Sequence, residues 1–316
     1  MTLICNHKTP HGWLIIDKPL GPSSAQVVGK VKWLFKQAGM KLAKIGHAGT
    51  LDPLASGVLP LALGEATKTV GYMLDADKAY TFTVVFGTQT SSDDAAGEVV
   101  AESAVRPTLE ALQGVLGRFT GPISQMPPAV SALKVDGERA YAIVRRGEVP
   151  DLKARDVVVR RLQVTGYRSQ VQEGKDVCCE VDCLAEVSKG TYIRSLARDM
   201  ALALGTVGHM GSLRRVVHGV FSLPEAISLE TLDTCLKTGQ TPPILPVARA
   251  LHGLAAYQVT TAQAGDLHHG KALANTGWGA GLASTMEGDR LVAMVRIDDH
   301  STAHPQRVFN LRDAKE

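Results

Sequence analysis

Gly46-His47-Ala48-Gly49-Thr50-Leu51-Asp52-Pro53-Leu54-Ala55-Ser56-Gly57-Val58-Leu59-Pro60 is the stretch on which the reading of this sequence turns. Its three glycines and two prolines demand a tightly folded loop, and one carboxylate, Asp52, stands between apolar Leu51 and Pro53. An aspartate in apolar company is costly unless a cation or hydrogen bonds hold it. Two roles fit. One is a turn aspartate capping backbone amides; the other is a carboxylate made reactive by desolvation and kept ionised by a positioned arginine.

Upstream, an apolar run at 14–16 leads into Asp17-Lys18-Pro19-Leu20-Gly21-Pro22, which must turn, and Ser23 or Ser24 can cap a helix there. Val27, Val28, Val31, Leu34 and Phe35 follow helical spacing, and Gly39 is a terminator. Downstream, Tyr80, Phe82, Val84 and Phe86 alternate as a strand, followed by a polar loop through Gly97. Pro107 and Thr108 open a short helix carrying Leu109, Leu112 and Leu116. The proline-rich 121–128 segment reads as an extended loop or small excursion, and 157–159 and 177–184 as strands, with Cys179 and Cys183 on the inner face beside Val177 and Val181. Ile193, Leu196, Ala197, Met200 and Leu204 form a helical stripe ending at Gly205, with Arg194 and Arg198 off the stripe, available to a ligand or to solvent. The proline-dense 241–246 stretch is the best linker, so a domain boundary is expected near residue 246.

With 316 residues, 45% apolar and 21% charged, the chain suits a large globular domain plus a small appendage. Met1 to Gly12 lack an apolar signal core, and no run of about 18 apolar residues suggests a membrane span, so a cytoplasmic protein is expected. Five cysteines without a Cys-x-x-Cys spacing indicate neither a disulfide framework nor a zinc site. The net charge is only +3, but its placement is uneven. Residues 18–51 hold six lysines (18, 30, 32, 36, 41 and 44) and no acidic residue, and residues 134–168 hold nine Lys and Arg against five Asp and Glu. Such clusters suit a polyanion, and they also occur on ordinary solvated surfaces.

Read with Asp17-Lys18-Pro19 before it and Lys189-Gly190-Thr191-Tyr192-Ile193-Arg194 after it, the Asp52 loop resembles that of the TruB family of tRNA pseudouridine synthases. The resemblance continues in order through Gly64-Glu65-Ala66-Thr67-Lys68, Lys78-Ala79-Tyr80, Gln125-Met126-Pro127-Pro128, Ser131-Ala132-Leu133-Lys134 and Leu213-Arg214-Arg215, covering roughly residues 10–225. It implies an α+β fold: a catalytic domain over 1–246 with a curved, mixed, mostly antiparallel sheet, and a small PUA-like β domain over 247–316 that grips another part of the tRNA. It implies that Asp52 attacks the target nucleoside, that Tyr80 stacks on its base close to the reacting carbon, and that Arg194 pairs with the aspartate. Tyr192 would wall the pocket, His47 would contact RNA where the base has left its stack, Lys18 would support the pocket, and Lys134 would contact RNA. The implied substrate is the T-loop uridine at tRNA position 55, met through the T-arm by a monomer with no obligate protein partner.

The chemistry agrees with those roles. Turning uridine into pseudouridine breaks the N-glycosidic bond, rotates the uracil and rejoins it through carbon, with no net redox change, so no cofactor and no metal are needed. Attack on the sugar, attack on the base and abstraction of a sugar proton all remain open as the part Asp52 plays. Extruding the nucleoside costs a few kcal/mol. Basic clusters can offset that through phosphate contacts.

Three positions depart from the family pattern: Val130 stands where a tyrosine is usual, Ser91-Ser92 replace Asp-Thr, and Val216-Val217-His218 replace a more basic stretch. Two decoys are set aside. The segment 265–272 mimics a phosphate-binding loop, but Ala272 replaces the needed Ser or Thr and no clear strand precedes it. Asp93 and Asp94 read as loop residues, since neighbours on a strand face opposite ways. Rival readings are a catalytically idle RNA chaperone, a guide-RNA-dependent synthase and, more remotely, a carboxylate glycosidase.

Overall fold

A computed structural model describes residues 9–131, 133–135 and 137–311. In chain order the strands are β1 (Gly12–Lys18), β2 (Ile45–His47), β3 (Ala55–Leu63), β4 (Lys78–Phe86), β5 (Thr88–Thr90), β6 (Val99–Glu102), β7 (Gly121–Gln125), β8 (Lys134–Val135) and β9 (Glu138–Arg139). They continue with β10 (Arg155–Gln172), β11 (Lys175–Val187), β12 (Gly208–His218), β13 (Phe221–Ser222), β14 (Ile244–Leu245), β15 (Ala255–Gln258), β16 (Gly281–Glu287), β17 (Arg290–Ile297) and β18 (Ala303–Val308). The helices are α1 (Ser24–Gln37), α2 (Val70–Asp75), α3 (Leu109–Leu116), α4 (Ala140–Arg145), α5 (Ile193–Ala203), α6 (Leu229–Lys237) and α7 (Thr261–His268).

Ten strands form one sheet in the order β14-β1-β3-β12-β4-β11-β10-β7, with β2 beside β3 and β13 beside β12. Every described pairing in it is antiparallel except β3 with β12, so the sheet is mixed and mostly antiparallel. β15 to β18 make a separate four-stranded sheet. The fold is therefore α+β with a small second sheet at its C-terminal end.

β1 and β3 read as unbroken apolar runs because both of their faces are covered. Leu14, Ile16, Leu59, Leu61 and Leu63 enter one core, together with Val27, Val31, Leu34 and Phe35 of α1 and Leu196, Ala197 and Met200 of α5. Trp13, Ile15, Val58 and Ala62 point the other way, into a second core shared with Val247, Leu251, Leu291, Met294 and Phe309. Trp13 and Phe221 meet there with ring centroids 5.3 Å apart. The C-terminal sheet is thus packed onto the back of the strands that carry the Asp52 loop.

α1 starts and stops where its caps predict. Ser23 accepts from the Gln26 amide and Gln26 returns the bond to Ser23, a capping box. Gly39, at φ +74°, closes the helix in the left-handed region.

Several expectations need correction. Residues 121–125 are an edge strand paired with β10, not an excursion. Within the expected linker, β14 pairs with β1, Leu245 opposite Trp13. The strands expected at 157–159 and 177–184 are one long hairpin, β10 and β11, with bulges near Arg161, Gly166 and Ser169. The last bulge falls at Cys179, so Cys178 is buried and Cys179 half-buried, while Cys183 is buried as expected. A strand, β15, does precede the 265–272 segment, yet Gly265 lies inside α7 and no phosphate-cradling loop forms there.

Candidate active site

Asp52 is presented by a loop whose main chain is fastened on every side. Ser24, one residue past the cap of α1, accepts from the Leu51 amide at 2.8 Å and donates to the Leu51 carbonyl at 3.0 Å. The Gly21 amide donates to Pro53 O, and the Ala55 amide to Asp52 O. Lys18 is fully buried, its Nζ donating to Ala55 O at 2.7 Å and to Pro19 O at 2.9 Å. Burial pulls the Lys18 pKa down to about 8, against the pull of the Asp52 carboxylate and with the help of the Arg215 charge. Lys18 thus serves as a strut and is removed from the surface cluster to which its charge was assigned.

The Asp52 carboxylate opens into a cavity of about 300 Å³ lined by Thr50, Leu51, Tyr80, Leu133, Thr191, Tyr192, Ile193, Arg194 and Leu213. Arg194 Nη2 lies 3.0 Å from Asp52 Oδ2. Arg194 comes from the first turn of α5, which is held in place through its flanks. Gln125 donates to Tyr192 O and accepts from the Tyr192 amide, and Ser195 Oγ donates to Met126 O. Burial raises the Tyr192 phenol above its ordinary range, so the ring walls the pocket in its neutral form.

Asp52 is not itself buried. Its side chain is 42% exposed while that of Arg194 is 7% exposed, so the aspartate meets water until a ligand covers it. The expectation of a desolvated carboxylate is corrected accordingly. Leu51 and the arginine are the buried parts, because the loop turns the carboxylate alone outward.

The arginines of α5 were expected to be available to ligand or solvent: Arg194 does line the cavity, though largely buried, and Arg198 is half-buried and turned toward acidic partners. Arg194 Nη1 donates to Ser92 O at 3.0 Å and to Val130 O at 2.9 Å, and lies 3.5 Å from Asp94 Oδ2. Arg198 pairs with Asp93 at 2.8 Å and with Asp199 at 2.8 Å. Asp93 and Asp94, set aside as loop residues, are both buried. They lie in a turn, Asp93 at φ +57°, from which the two neighbouring carboxylates meet two guanidiniums one helical turn apart. The available signal was Arg-x-x-x-Arg on a helix matched to an Asp-Asp pair. Two departures from the family pattern, Ser92 and Val130, touch Arg194 through main-chain oxygens, which any residue supplies.

Tyr80, on β4, reaches the cavity beside Asp52 and is the cross-strand partner of Arg215 on β12. His47 does not line this cavity. It borders a neighbouring hollow with Lys32, Lys44, Gly46, Thr67 and Val70, where burial and the Arg215 charge lower its pKa. Lys134 sits on β8, and its side chain lies outside the described residues. Among the described residues no group of three His, Cys, Asp or Glu could hold a metal ion, and no helix is long and apolar enough to cross a membrane.

Residues 36–193 match the model of the TruB family pseudouridylate synthase N-terminal domain, and residues 194–252 that of the tRNA pseudouridylate synthase B C-terminal domain. A tRNA pseudouridine synthase B of Novosphingobium aromaticivorans is 46% identical over 310 residues, 96% of this chain and 99% of the relative. One of Zymomonas mobilis is 43% identical over 301 residues, 95% of this chain and 96% of the relative. Among solved structures, an H/ACA RNP bound to a substrate RNA containing 2'-deoxyuridine is similar with a TM-score of 0.70 and 26% identity, covering 96% of this chain and 86% of that one. A Cbf5-Nop10-Gar1 complex gives a TM-score of 0.69 and 28% identity, covering 94% and 84%. Fold and family models together define the class, an isomerase with the pseudouridine synthase fold. Within that class, the chain belongs to the TruB family of pseudouridylate synthases.

Proposed function

We propose that this enzyme acts on tRNA, converting the T-loop uridine at position 55 with Asp52 as its nucleophile after the nucleoside has been flipped out of the loop. The observation that carries the proposal is the Asp52 Oδ2 to Arg194 Nη2 contact of 3.0 Å at the wall of an open cavity that also holds Tyr80. A buried guanidinium holds the carboxylate aimed into the cavity. Asp52 reacts with the nucleoside as the bond from C1′ to N1 breaks; the freed uracil stacks on Tyr80, worth about 1–3 kcal/mol, and turns within the cavity. The bond from C1′ to C5 then forms, the proton leaves C5, and N1 gains one, so the reaction balances with no redox partner. Asp52 ends as it began.

The exposed lysines of α1 and the segment after it, Lys30, Lys32, Lys36, Lys41 and Lys44, support contact with phosphates, and the His47 hollow supports contact with the loop the base has left. The roles of Lys134 in RNA contact and of residues 247–316 as a PUA-like grip on tRNA rest on resemblance. So do a cytoplasmic, monomeric working state and a tRNA-remodelling activity beside catalysis.

The similarity to H/ACA particles raises the guide-dependent alternative. Identity of 46% to a tRNA pseudouridine synthase B, against 26–28% to the particle proteins, favours a free-standing enzyme. Incubating the purified chain with an unmodified tRNA transcript and mapping the product separates the two. Pseudouridine at position 55 alone, without added protein or guide, is expected. No product until a guide RNA and partner proteins are added would overturn it.

A further inference from the structure

Arg215 lies on β12 beneath the Asp52 loop and is 1% exposed, among the described residues one of the two largest fully buried side chains. Among the described residues its guanidinium has no carboxylate partner, and burial lowers its pKa. A buried cation without a counter-ion is unfavourable, and an apolar side chain of similar volume would fill the same space more cheaply. Its donors show why the cation is there. Nε donates to Val58 O at 2.7 Å, Nη2 to Gly49 O at 3.1 Å and Nη1 to Thr50 O at 3.4 Å. These carbonyls flank Asp52 on both sides in the chain.

The loop is shaped to meet that guanidinium. At Gly49, φ is +116° and a Cβ would stand 2.6 Å from His218 Cε1; at Gly57, φ is +102° and a Cβ would stand 2.2 Å from Arg215 O. Only glycine lets both limbs come this close. Tyr80 is the direct cross-strand partner of Arg215 on β4, and it lines the cavity beside Asp52.

We infer that Arg215 is a positioning residue for the reaction: it ties both limbs of the Asp52 loop to β12 opposite Tyr80 and so holds nucleophile and phenol in one register. The inference rests on the catalytic reading of Asp52 given above. A shift of about 1 Å between these groups would cost on the order of 100-fold in rate while leaving the RNA-binding surface intact.

The test compares wild type with Arg215→Lys and Arg215→Met, each purified as the full chain, with Asp52→Asn as control. Melting temperature, tRNA affinity and single-turnover rate at saturating enzyme are measured for all four. Both Arg215 variants should bind tRNA within about twofold of wild type and turn over about 10- to 100-fold more slowly. Lysine should not restore the rate, because a point charge cannot reproduce the planar fork that reaches three separate carbonyls. Adding Tyr80→Phe to Arg215→Met should slow the enzyme less than the product of the two single effects, since the two groups act as a unit.

A wild-type rate in either variant would overturn the inference, as would a rate loss matched by an equal loss of affinity. If neither variant yields folded protein, Arg215 belongs to the fold alone and the inference fails. An active Asp52→Asn control would instead sink the catalytic reading on which it rests.

Discussion

Asp52 and Arg194 divide burial unequally, and that division makes the pair usable. The cation is enclosed by acceptors from two places in the chain, Ser92 O and Asp94 in one turn and Val130 O in another segment, while the anion keeps one side open to the cavity. Replacing Arg194 with methionine leaves buried Asp94 without its cation. Breaking a buried pair costs about 3–5 kcal/mol, and the lower end is expected because Asp94 Oδ1 keeps Ser92 Oγ at 2.6 Å and the Ala96 amide at 3.0 Å. Urea unfolding of Arg194→Met measures this; a loss below about 1 kcal/mol would mean that the pair is no stronger than an exposed one. Asp52 could be picked out in the sequence because its glycine and proline neighbours are local. Asp94 could not, because its partner lies a hundred residues downstream and nothing in its own neighbourhood marks it as buried.

The elements that were legible are those whose burial alternates regularly. α1 announces itself by its cap and by Val27, Val31 and Leu34, all facing one core. The β10–β11 hairpin was legible only in its buried halves, because three bulges reset the facing and the outer part of β10 is exposed on successive residues. On β12, the departure at His218 makes a pH-sensitive element that the sequence did not suggest. His218 is fully buried, and its Nε2 donates to Met73 O at 2.7 Å, so the ring is neutral. Burial, aided by the Arg215 charge, pushes its pKa down to about 2 from an ordinary 6.5. Between those values the unfolded chain binds a proton that the folded chain refuses. Stability from this group is therefore complete above pH 6.5 and is lost as pH falls below it. At pH 5 the loss is about 2 kcal/mol, from roughly 1.5 pH units at 1.36 kcal/mol each. Urea titrations at pH 7.5 and pH 5 should show wild type losing about that much more than His218→Asn, and identical pH dependence of the two would refute the role given to His218.

For the whole molecule, the decisive step is a sheet buried on both faces, which the apolar runs of β1 and β3 foreshadowed but could not assign to partners. One face receives α1 and α5, which bring Ser24 and Arg194 to the Asp52 loop; the other receives the C-terminal segment through Val247, Leu291, Met294 and Phe309. Charge is sorted at the same scale. Most arginines of the 134–168 segment are consumed in pairs, Arg146 with Glu138 and Glu148, Arg160 with Asp77, Arg161 with Glu186 and Arg168 with Glu180 and Asp182. The lysines of α1 stay exposed, Lys30 over the Trp33 ring at 4.0 Å. Counting residues along the chain could not separate these two kinds of basic segment, because pairing depends on which strands become neighbours.

The most direct test of the whole reading is a single-turnover assay of Asp52→Asn on a full tRNA transcript, with binding measured on the same samples. The substitution keeps the size and polarity of the side chain and removes its charge and nucleophilicity. Binding within a few-fold of wild type and no pseudouridine is the predicted result; product formed at the wild-type rate would contradict it.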